Sequence, residues 1–178
     1  NILNPGKVIP PPKDTGRDGK PAEPTLLEKS RGTSGNGVHA SELMAKIKTA
    51  ASQKQPIVPV GSGTFSRFGN LPRVDTQSLT SLSMADVIEY DPPNQVITVE
   101  AGISLAALQA HLKANHQWLP LRPPFFSNSS TIGGLIALAA CGPERMAYGA
   151  PRDLLLGLRY INNNGVLITA GGRVVKNV

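Results

Sequence analysis

The stretch Thr131-Ile132-Gly133-Gly134, which continues through apolar residues to Cys141-Gly142-Pro143, decides how this chain is interpreted. Two adjacent glycines open an apolar segment that has the character of a helix. Glycine lacks a Cβ and lets the backbone approach another surface closely, at an entropic cost that ordinary packing rarely offsets. The pattern therefore predicts that something lies directly against the backbone at 133–134.

Two interpretations of this glycine pair are open. The first is a large flat ligand, for which a flavin is our candidate. The second is a glycine-rich crossing of two structural elements. The stretch alone supports both equally.

A second glycine-rich loop lies about seventy residues earlier. The short apolar segment Pro56–Val60 reads as a strand and leads at once into Gly61-Ser62-Gly63-Thr64 and on to Gly69-Asn70. Such a loop presents backbone N–H groups that suit phosphate oxygens. It lacks the Gly-Lys-Ser/Thr ending of a P-loop, and its glycine spacing differs from the dinucleotide fingerprint. Its ligands would be the amides of 61–66 and the nearby hydroxyls, whereas a plain glycine turn is the alternative.

Composition limits the function classes. The chain has 178 residues, enough for one domain with a core, and a formal charge of +6 that is spread without a basic run. A nucleic-acid reader would usually show a basic patch and stacking aromatics, so the sequence argues against that partner. The single cysteine excludes an internal disulfide and fits a reducing compartment. The longest apolar run is about half of a membrane span. We expect a cytoplasmic or organelle-matrix location, with peripheral attachment to a membrane complex as an option.

Local patterns predict a mixture of short helices and strands, which is typical of an α+β domain. Residues 1–37 are rich in proline and glycine and read as a linker or extended arm, followed by a domain over 38–178. The predicted elements are a helix from an N-cap at Ser41 to Ser52, a hairpin of Val87–Tyr90 and Val96–Glu100, a helix capped by Ser104 with Leu105, Leu108 and Leu112 on one face, and strands at Trp118–Leu121, Leu154–Ile161 and Val166–Thr169.

Four features in one order carry a resemblance to a known family. They are the 59–64 loop, the hairpin ending in Val99-Glu100-Ala101-Gly102, the segment Leu119 to Pro124 leading into Ser130-Thr131-Ile132-Gly133-Gly134, and Tyr148-Gly149-Ala150-Pro151-Arg152-Asp153-Leu154. Together they resemble the FAD-binding domain of the vanillyl-alcohol oxidase / p-cresol methylhydroxylase (PCMH-type) family. Within it the sequence is most similar to the small flavin subunits of bacterial glycolate oxidases.

The resemblance implies a small parallel β-α lobe, a larger antiparallel lobe and FAD extended between them. Carried over position by position, the loop at 61–70 would hold the pyrophosphate, and the later glycines would run beside the ribityl chain and the flavin. The implied cofactor-binding residues are Gly61, Ser62, Gly63, Thr64, Gly69, Asn70, Ala101, Gly102, Thr131, Gly133, Gly134, Gly142, Tyr148 and Gly149.

Departures from the family pattern also matter. Some members attach flavin through a histidine in the first loop, where this chain has Thr64, and others through a cysteine where it has residues 128–130. We therefore expect non-covalent FAD. For Arg152 and Asp153 we favour an ion pair or turn cap over cofactor contact. Cys141 reads as a small buried hydrophobe. The three histidines lack ligand-like spacing, so no metal is expected.

Family members continue past the equivalent of residue 178 into a substrate-binding cap. The domain therefore reads as truncated at its C-terminus, and no catalytic residue can be nominated. The resemblance implies an FAD-binding subunit or fragment of an oxidoreductase acting on a 2-hydroxy acid such as glycolate or lactate, with other protein subunits as partners and the hydroxy acid bound only by the complete enzyme. The alternative is a non-catalytic assembly subunit that has lost flavin. A strand edge beside Val166–Thr169 would stay unpaired unless another chain covers it.

Overall fold

The computed structural model describes residues 36–124 and 129–172. The predicted arm at 1–37 lies outside these ranges except for its last two residues, and so do residues 125–128 and the tail after 172. The elements in chain order are α1 (Asn36–Ser52), β1 (Ile57–Val60), β2 (Gln77–Thr80), β3 (Val87–Asp91), β4 (Val96–Val99), α2 (Leu105–Lys113), α3 (Ile132–Ala137), α4 (Arg145–Tyr148), α5 (Pro151–Leu154), β5 (Gly157–Ile161) and β6 (Leu167–Gly171). The predicted α+β class is confirmed.

The strands form three separate pairs within the described ranges. β1 and β2 are parallel, with Ile57 opposite Gln77 and Val60 opposite Thr80. β3–β4 and β5–β6 are antiparallel hairpins, and a bulge interrupts the first of them. The parallel and antiparallel parts implied by the resemblance are both present, although the antiparallel part consists of two hairpins and not of one larger sheet.

The core lies between α2 and α3. Ser104 caps α2, since its Oγ accepts a hydrogen bond from the Ala107 amide at 3.1 Å, as predicted. The leucine face of α2 is buried, and it packs with residues from both sides of the second glycine stretch. The buried cluster consists of Ile103, Leu105, Leu108, Leu112, Leu121, Ile132 and Leu135. Because these residues flank 101–105 and 130–135, the core fixes the two segments against each other.

The start of α1 was predicted wrongly. α1 begins at Asn36 and not after an N-cap at Ser41, which lies inside the helix. Gly37 reads as a boundary, but a glycine inside a helix costs only about 1 kcal/mol. The buried side of α1 carries Ile47 and Ala50.

The predicted strand at Trp118–Leu121 is also wrong, because this segment pairs with no strand in the described ranges. The Leu119 amide donates to Gln109 Oε1 at 3.0 Å, and the Leu119 carbonyl accepts from Gln109 Nε2 at 2.6 Å. The Gln109 side chain thus satisfies the Leu119 backbone groups that a neighbouring strand would otherwise bond.

The apolar run after Gly134 is helical only to Ala137. Ala139 adopts a left-handed φ of 49°, which ends the helix. Residues 154–156 precede β5, so the predicted strand at 154–161 begins only at Gly157. The short helix α4 and the strand β2 carry no local pattern that predicts them, whereas α5 begins at Pro151, a residue type favoured at the first helical position.

Candidate functional site

The loop that follows β1 offers a row of free backbone donors. Gly63 and Gly69 have φ of 73° and 85°, in the left-handed region that favours glycine. Among residues 36–124 and 129–172, no acceptor meets the amide N–H groups of positions 61–64. The carboxyl end of a strand in a parallel sheet is a common place for such ligand-binding loops. Converging neutral N–H donors suit the oxygens of a phosphate.

The second glycine stretch lies directly against this loop. A Cβ built on Gly61 would overlap Thr131 Oγ1, so the two backbones are in close contact. Ser130 Oγ lies 3.2 Å from Thr64 Oγ1 and bridges the same two segments. Thr131 also caps α3 through its Oγ1, which accepts from the Gly134 amide at 3.3 Å. The expectation that the two glycine-rich segments come together is confirmed.

The segment at 101–105 joins the same cluster. The Gly133 amide donates to the Ala101 carbonyl at 2.8 Å, and the Ile132 amide donates to the Ile103 carbonyl at 2.9 Å. Ser104 and Thr131 form an isolated antiparallel bridge, which is flanked by the Ile132–Ile103 hydrogen bond and by one from the Leu105 amide to the Ser130 carbonyl at 2.8 Å. Backbone hydrogen bonds therefore hold residues 130–133 against residues 101–105, the segment that follows β4.

The contacts of Gly133 support the interpretation as a crossing of two protein segments. A Cβ there would lie 2.8 Å from the Cβ of Ala101 and 3.0 Å from its carbonyl oxygen. A Cβ on Gly102 would overlap the Ser81 carbonyl oxygen. Both glycines are therefore required by a crossing of protein segments. Gly134 differs, because a Cβ there would meet only Thr131 Oγ1, at 3.2 Å.

The remaining predicted residues divide into two groups. Gly142 packs against the Arg122 carbonyl, and the Tyr148 ring meets the Trp118 ring edge-on with centroids 5.5 Å apart, so this part lies along the 118–122 segment. Gly69 and Asn70 are exposed, and a Cβ on Gly69 would meet nothing within 4 Å. The structure thus brings together 61–64, 101–102 and 131–134. It shows no comparable contact of the described residues at 69–70 with that cluster.

An ion pair holds the 142–149 segment. Arg122 Nε lies 3.0 Å from Glu144 Oε1, and the Glu144 side chain is only 12 % exposed. The other carboxylate oxygen, Oε2, is buried and meets no hydrogen-bond donor among the described residues. Cys141, predicted to be buried, is only half-buried.

Asp153 caps a turn, as favoured from the sequence. Its Oδ2 accepts from the Ala150 amide at 2.8 Å, and Arg152 Nε lies 3.4 Å from Oδ1. The hydrogen bond from the Ala150 amide, followed by the Arg152 side chain, lowers the pKa of the Asp153 carboxyl. These local contacts account for both residues.

Sequence reasoning missed Ser130 and the Arg122–Glu144 pair as parts of this region. Ser130 is 1 % exposed, and only the tertiary contact with Thr64 gives its hydroxyl a partner. Ser130 lies in the third stretch of the resemblance, but no local signal in the sequence gives its hydroxyl a partner. Opposite charges at 122 and 144 could have been paired only by knowing that the two segments are adjacent.

Two negative findings bound the chemistry of the described part of the chain. Its His, Cys, Asp and Glu side chains form no group that could hold a metal ion. None of its helices has both the length and the apolar character required to cross a bilayer.

Sequence relatives include two glycolate oxidase subunits and a D-lactate dehydrogenase. The chain is 34% identical over 140 residues to the glycolate oxidase subunit GlcE of Escherichia coli, which covers 79% of this chain and 39% of that protein. It is 32% identical over 136 residues to the glycolate oxidase subunit GlcD of Bacillus subtilis. This alignment covers 76% of this chain and 29% of that protein. It is 30% identical over 139 residues to a D-lactate dehydrogenase of Archaeoglobus fulgidus. This alignment covers 78% of this chain and 31% of that protein. The chain therefore spans two fifths or less of the length of these relatives.

Solved structures show the same fold. Alkyldihydroxyacetonephosphate synthase superposes with a TM-score of 0.61 at 23% sequence identity, over 77% of this chain and 25% of that one. A second crystal form of that enzyme superposes with the same TM-score, over 74% of this chain.

A family model settles the assignment, since the FAD binding domain matches residues 38–171. This range contains the β1 loop, the 101–105 segment and the stretch at 130–149, which are the parts that the structure packs together. The chain belongs to the FAD-binding domain family, whose cofactor is FAD.

Proposed function

We propose that this chain holds FAD in an oxidoreductase that acts on a 2-hydroxy acid of the glycolate or lactate type. The observation that carries the proposal is the contact between the β1 loop, with its free amides, and the capped start of α3. The relatives named as glycolate oxidase subunits and as a D-lactate dehydrogenase support the substrate class.

The donor set fits the diphosphate of FAD. The amides of 61–64 and the hydroxyls of Ser62 and Thr64 provide neutral donors in one place, and α3 begins beside them. Gly63 leaves open space where a side chain would stand, so an anionic group can approach the loop. We assign the pyrophosphate to 61–64, and the ribityl and ring region to Gly134 and the 142–149 segment. Ala101, Gly102, Thr131 and Gly133 support this surface, and Gly69 and Asn70 close the loop.

This chain's part in the reaction is binding and orientation. When bound, FAD supplies the two-electron acceptor that oxidation of a hydroxyl-bearing carbon requires. Thr64 stands where some family members have the attachment histidine, and residues 128–130 contain no cysteine, which supports non-covalent binding. No described residue is assigned as general base, and we place substrate binding in the remaining length of the enzyme.

The direct test is a visible absorption spectrum of the purified chain, followed by titration with FAD. We expect flavin absorbance that denaturation releases, or uptake of added FAD. Colourless protein that takes up no FAD would exclude the proposal.

A charge test locates the diphosphate. Gly63→Asp and Gly63→Asn have the same shape, and Asp and Asn tolerate a left-handed φ better than other side chains. Because a new carboxylate would repel the diphosphate, we expect Gly63→Asp to bind FAD about tenfold or more weakly than Gly63→Asn. Equal affinities of the two variants would place the diphosphate elsewhere.

An assembly role without flavin remains the second candidate, because one hairpin exposes apolar residues. Leu158 and Tyr160 project from the same face of β5 and are 39% and 47% exposed. This face fits contact with further polypeptide, as in a multi-subunit complex. A substitution such as Gly133→Val would not separate the two candidates, because Ala101 occupies the space that the new side chain needs and the fold itself would be disturbed. The Gly63 pair can, since it changes charge without touching the crossing.

A further inference from the structure

Ser130 carries a hydroxyl that is buried away from solvent. The residue is 1% exposed, and its carbonyl accepts from the Leu105 amide at 2.8 Å. Within the described ranges, the partner of its Oγ is Thr64 Oγ1, at 3.2 Å. A hydroxyl has one hydrogen to donate, and leaving a buried donor without an acceptor is costly.

Burial decides the direction of this hydrogen bond. If Thr64 donated to Ser130, the hydrogen of the Ser130 hydroxyl would be buried with no acceptor among the described residues. If Ser130 donates, Thr64 Oγ1 is the acceptor, and the hydrogen of the Thr64 hydroxyl remains available to donate to another group. Thr64 is half-buried in the loop whose amides are free, so its hydrogen can reach a ligand. The second arrangement satisfies both hydroxyls.

We propose that Ser130 is a positioning residue that fixes the Thr64 hydroxyl as a donor to a phosphate oxygen of FAD. The inference rests on the proposed function. The Thr64 oxygen already accepts from Ser130, so the hydroxyl presents its hydrogen to the ligand. That role matches phosphate, which only accepts hydrogen bonds at neutral pH. Because the phosphate oxygen is ionised, it strengthens the hydrogen bond that it accepts from Thr64. Through polarisation it also strengthens the one that Thr64 accepts from Ser130.

The pair also couples the two halves of the site. Ser130 belongs to the segment held against 101–105, whereas Thr64 belongs to the β1 loop. A phosphate bound by Thr64 is therefore connected, through the Ser130–Thr64 hydrogen bond, to the segment that begins α3. Removal of Ser130 Oγ leaves Thr64 in place but lets its hydroxyl rotate.

The experiment is a double-mutant cycle on the full chain, with FAD and ADP as ligands. ADP carries the diphosphate without the flavin ring. We expect Thr64→Val to weaken the binding of both ligands about tenfold, and Ser130→Ala to weaken it several-fold. Thr64→Ser keeps the hydroxyl and should bind like the original protein. Ser130→Ala in the Thr64→Val background should cause no further loss, because the hydroxyl that Ser130 positions is already absent.

Three results would overturn the inference while leaving the proposed function intact, provided that the original protein binds FAD. One is unchanged affinity in Ser130→Ala, another is a loss that adds in full to that of Thr64→Val, and the third is a loss for FAD with none for ADP. If the original protein binds neither ligand, the proposed function itself fails, and the inference fails with it.

Should Ser130→Ala not fold, Ser130→Cys provides the second measurement. A thiol is a weaker donor than a hydroxyl and occupies similar space. We expect a loss of ADP affinity in the same direction and of smaller size, again absent in the Thr64→Val background. Full retention of affinity in Ser130→Cys would overturn the inference. Thermal unfolding of each ligand-free variant shows whether it is folded.

Discussion

The glycines of the site differ in what lies in the space that a side chain would occupy. At Gly61, Gly102 and Gly133 the space is occupied by other parts of the protein. At Gly63 and Gly69 the space is open and the backbone is left-handed, so these two glycines are needed for the conformation of the loop. The same residue type therefore has a packing role in one segment and a conformational role in the other.

Asp153 gives a pH-dependent prediction at this scale. Its folded-state pKa lies below the ordinary value of 3.8, chiefly because it accepts the Ala150 amide hydrogen bond. A lowered pKa stabilises the fold above pH 3.8, and this contribution disappears as the pH falls through the lower folded value. We expect Asp153→Asn to be less stable than the original protein at pH 7, with a difference that begins to shrink as the pH falls to 3.8 and vanishes once the pH is below the lower folded-state pKa. Chemical denaturation as a function of pH measures this, and a difference that persists in acid would contradict it.

At the scale of elements, caps and crossings set where the site elements lie. α2 begins where Ser104 caps it, and the bridge between Ser104 and Thr131 places the start of α3 beside it. α3 has only six residues, so its own hydrogen bonds contribute little and its position depends on its cap and buried face. The β1 loop then rests on Thr131.

The junction of the loop and α3 is testable with two substitutions. A Cβ at Gly61 would overlap Thr131 Oγ1, so Gly61→Ala forces Thr131 to turn and give up the cap on the Gly134 amide. We expect Gly61→Ala to destabilise the fold by about 2 kcal/mol, of which about 1 kcal/mol is the lost cap. Thr131→Ala alone should cost about 1 kcal/mol, and the double variant less than the sum. Additive losses in denaturant titrations would show that the two residues are independent.

At the scale of the whole molecule, the described residues build a site surface and leave other apolar surface open. The core joins α2 to α3, whereas the β5–β6 hairpin is largely exposed and presents Leu158 and Tyr160. Apolar side chains clustered on one exposed face are typical of surfaces that contact further polypeptide. The chain covers 39% or less of the length of these relatives, which agrees with that interpretation.

Cofactor binding should stabilise the entire fold. FAD that binds only the folded state adds about 2.7 kcal/mol at one hundred times its dissociation constant. For a chain of this size we expect the midpoint of thermal unfolding to rise by about 5 to 10 °C. Gly63→Asp should show a smaller rise than Gly63→Asn at the same FAD concentration. A midpoint that does not respond to FAD would contradict binding to the folded chain.

Much of the fold could be predicted because its signals are local. The leucine spacing and the Ser104 cap defined α2, and the turn at 91–94 defined the first hairpin. The β2 strand, Gln77–Thr80, could not be predicted, because it has no apolar alternation and is defined by pairing with β1. The segment at 118–121 has a strand-like sequence, but Gln109 satisfies its backbone instead.

The two glycine-rich segments, their order and the resemblance to the FAD-binding family could be recognised from residues close together in the chain. The contact of Gly133 with Ala101, the packing of Thr131 on Gly61 and the hydrogen bond of buried Ser130 with Thr64 became known only from the folded arrangement. The physical reason is that backbone conformation is limited by neighbouring residues, whereas the partner of a buried hydroxyl or the contact of a missing Cβ depends on how distant segments pack.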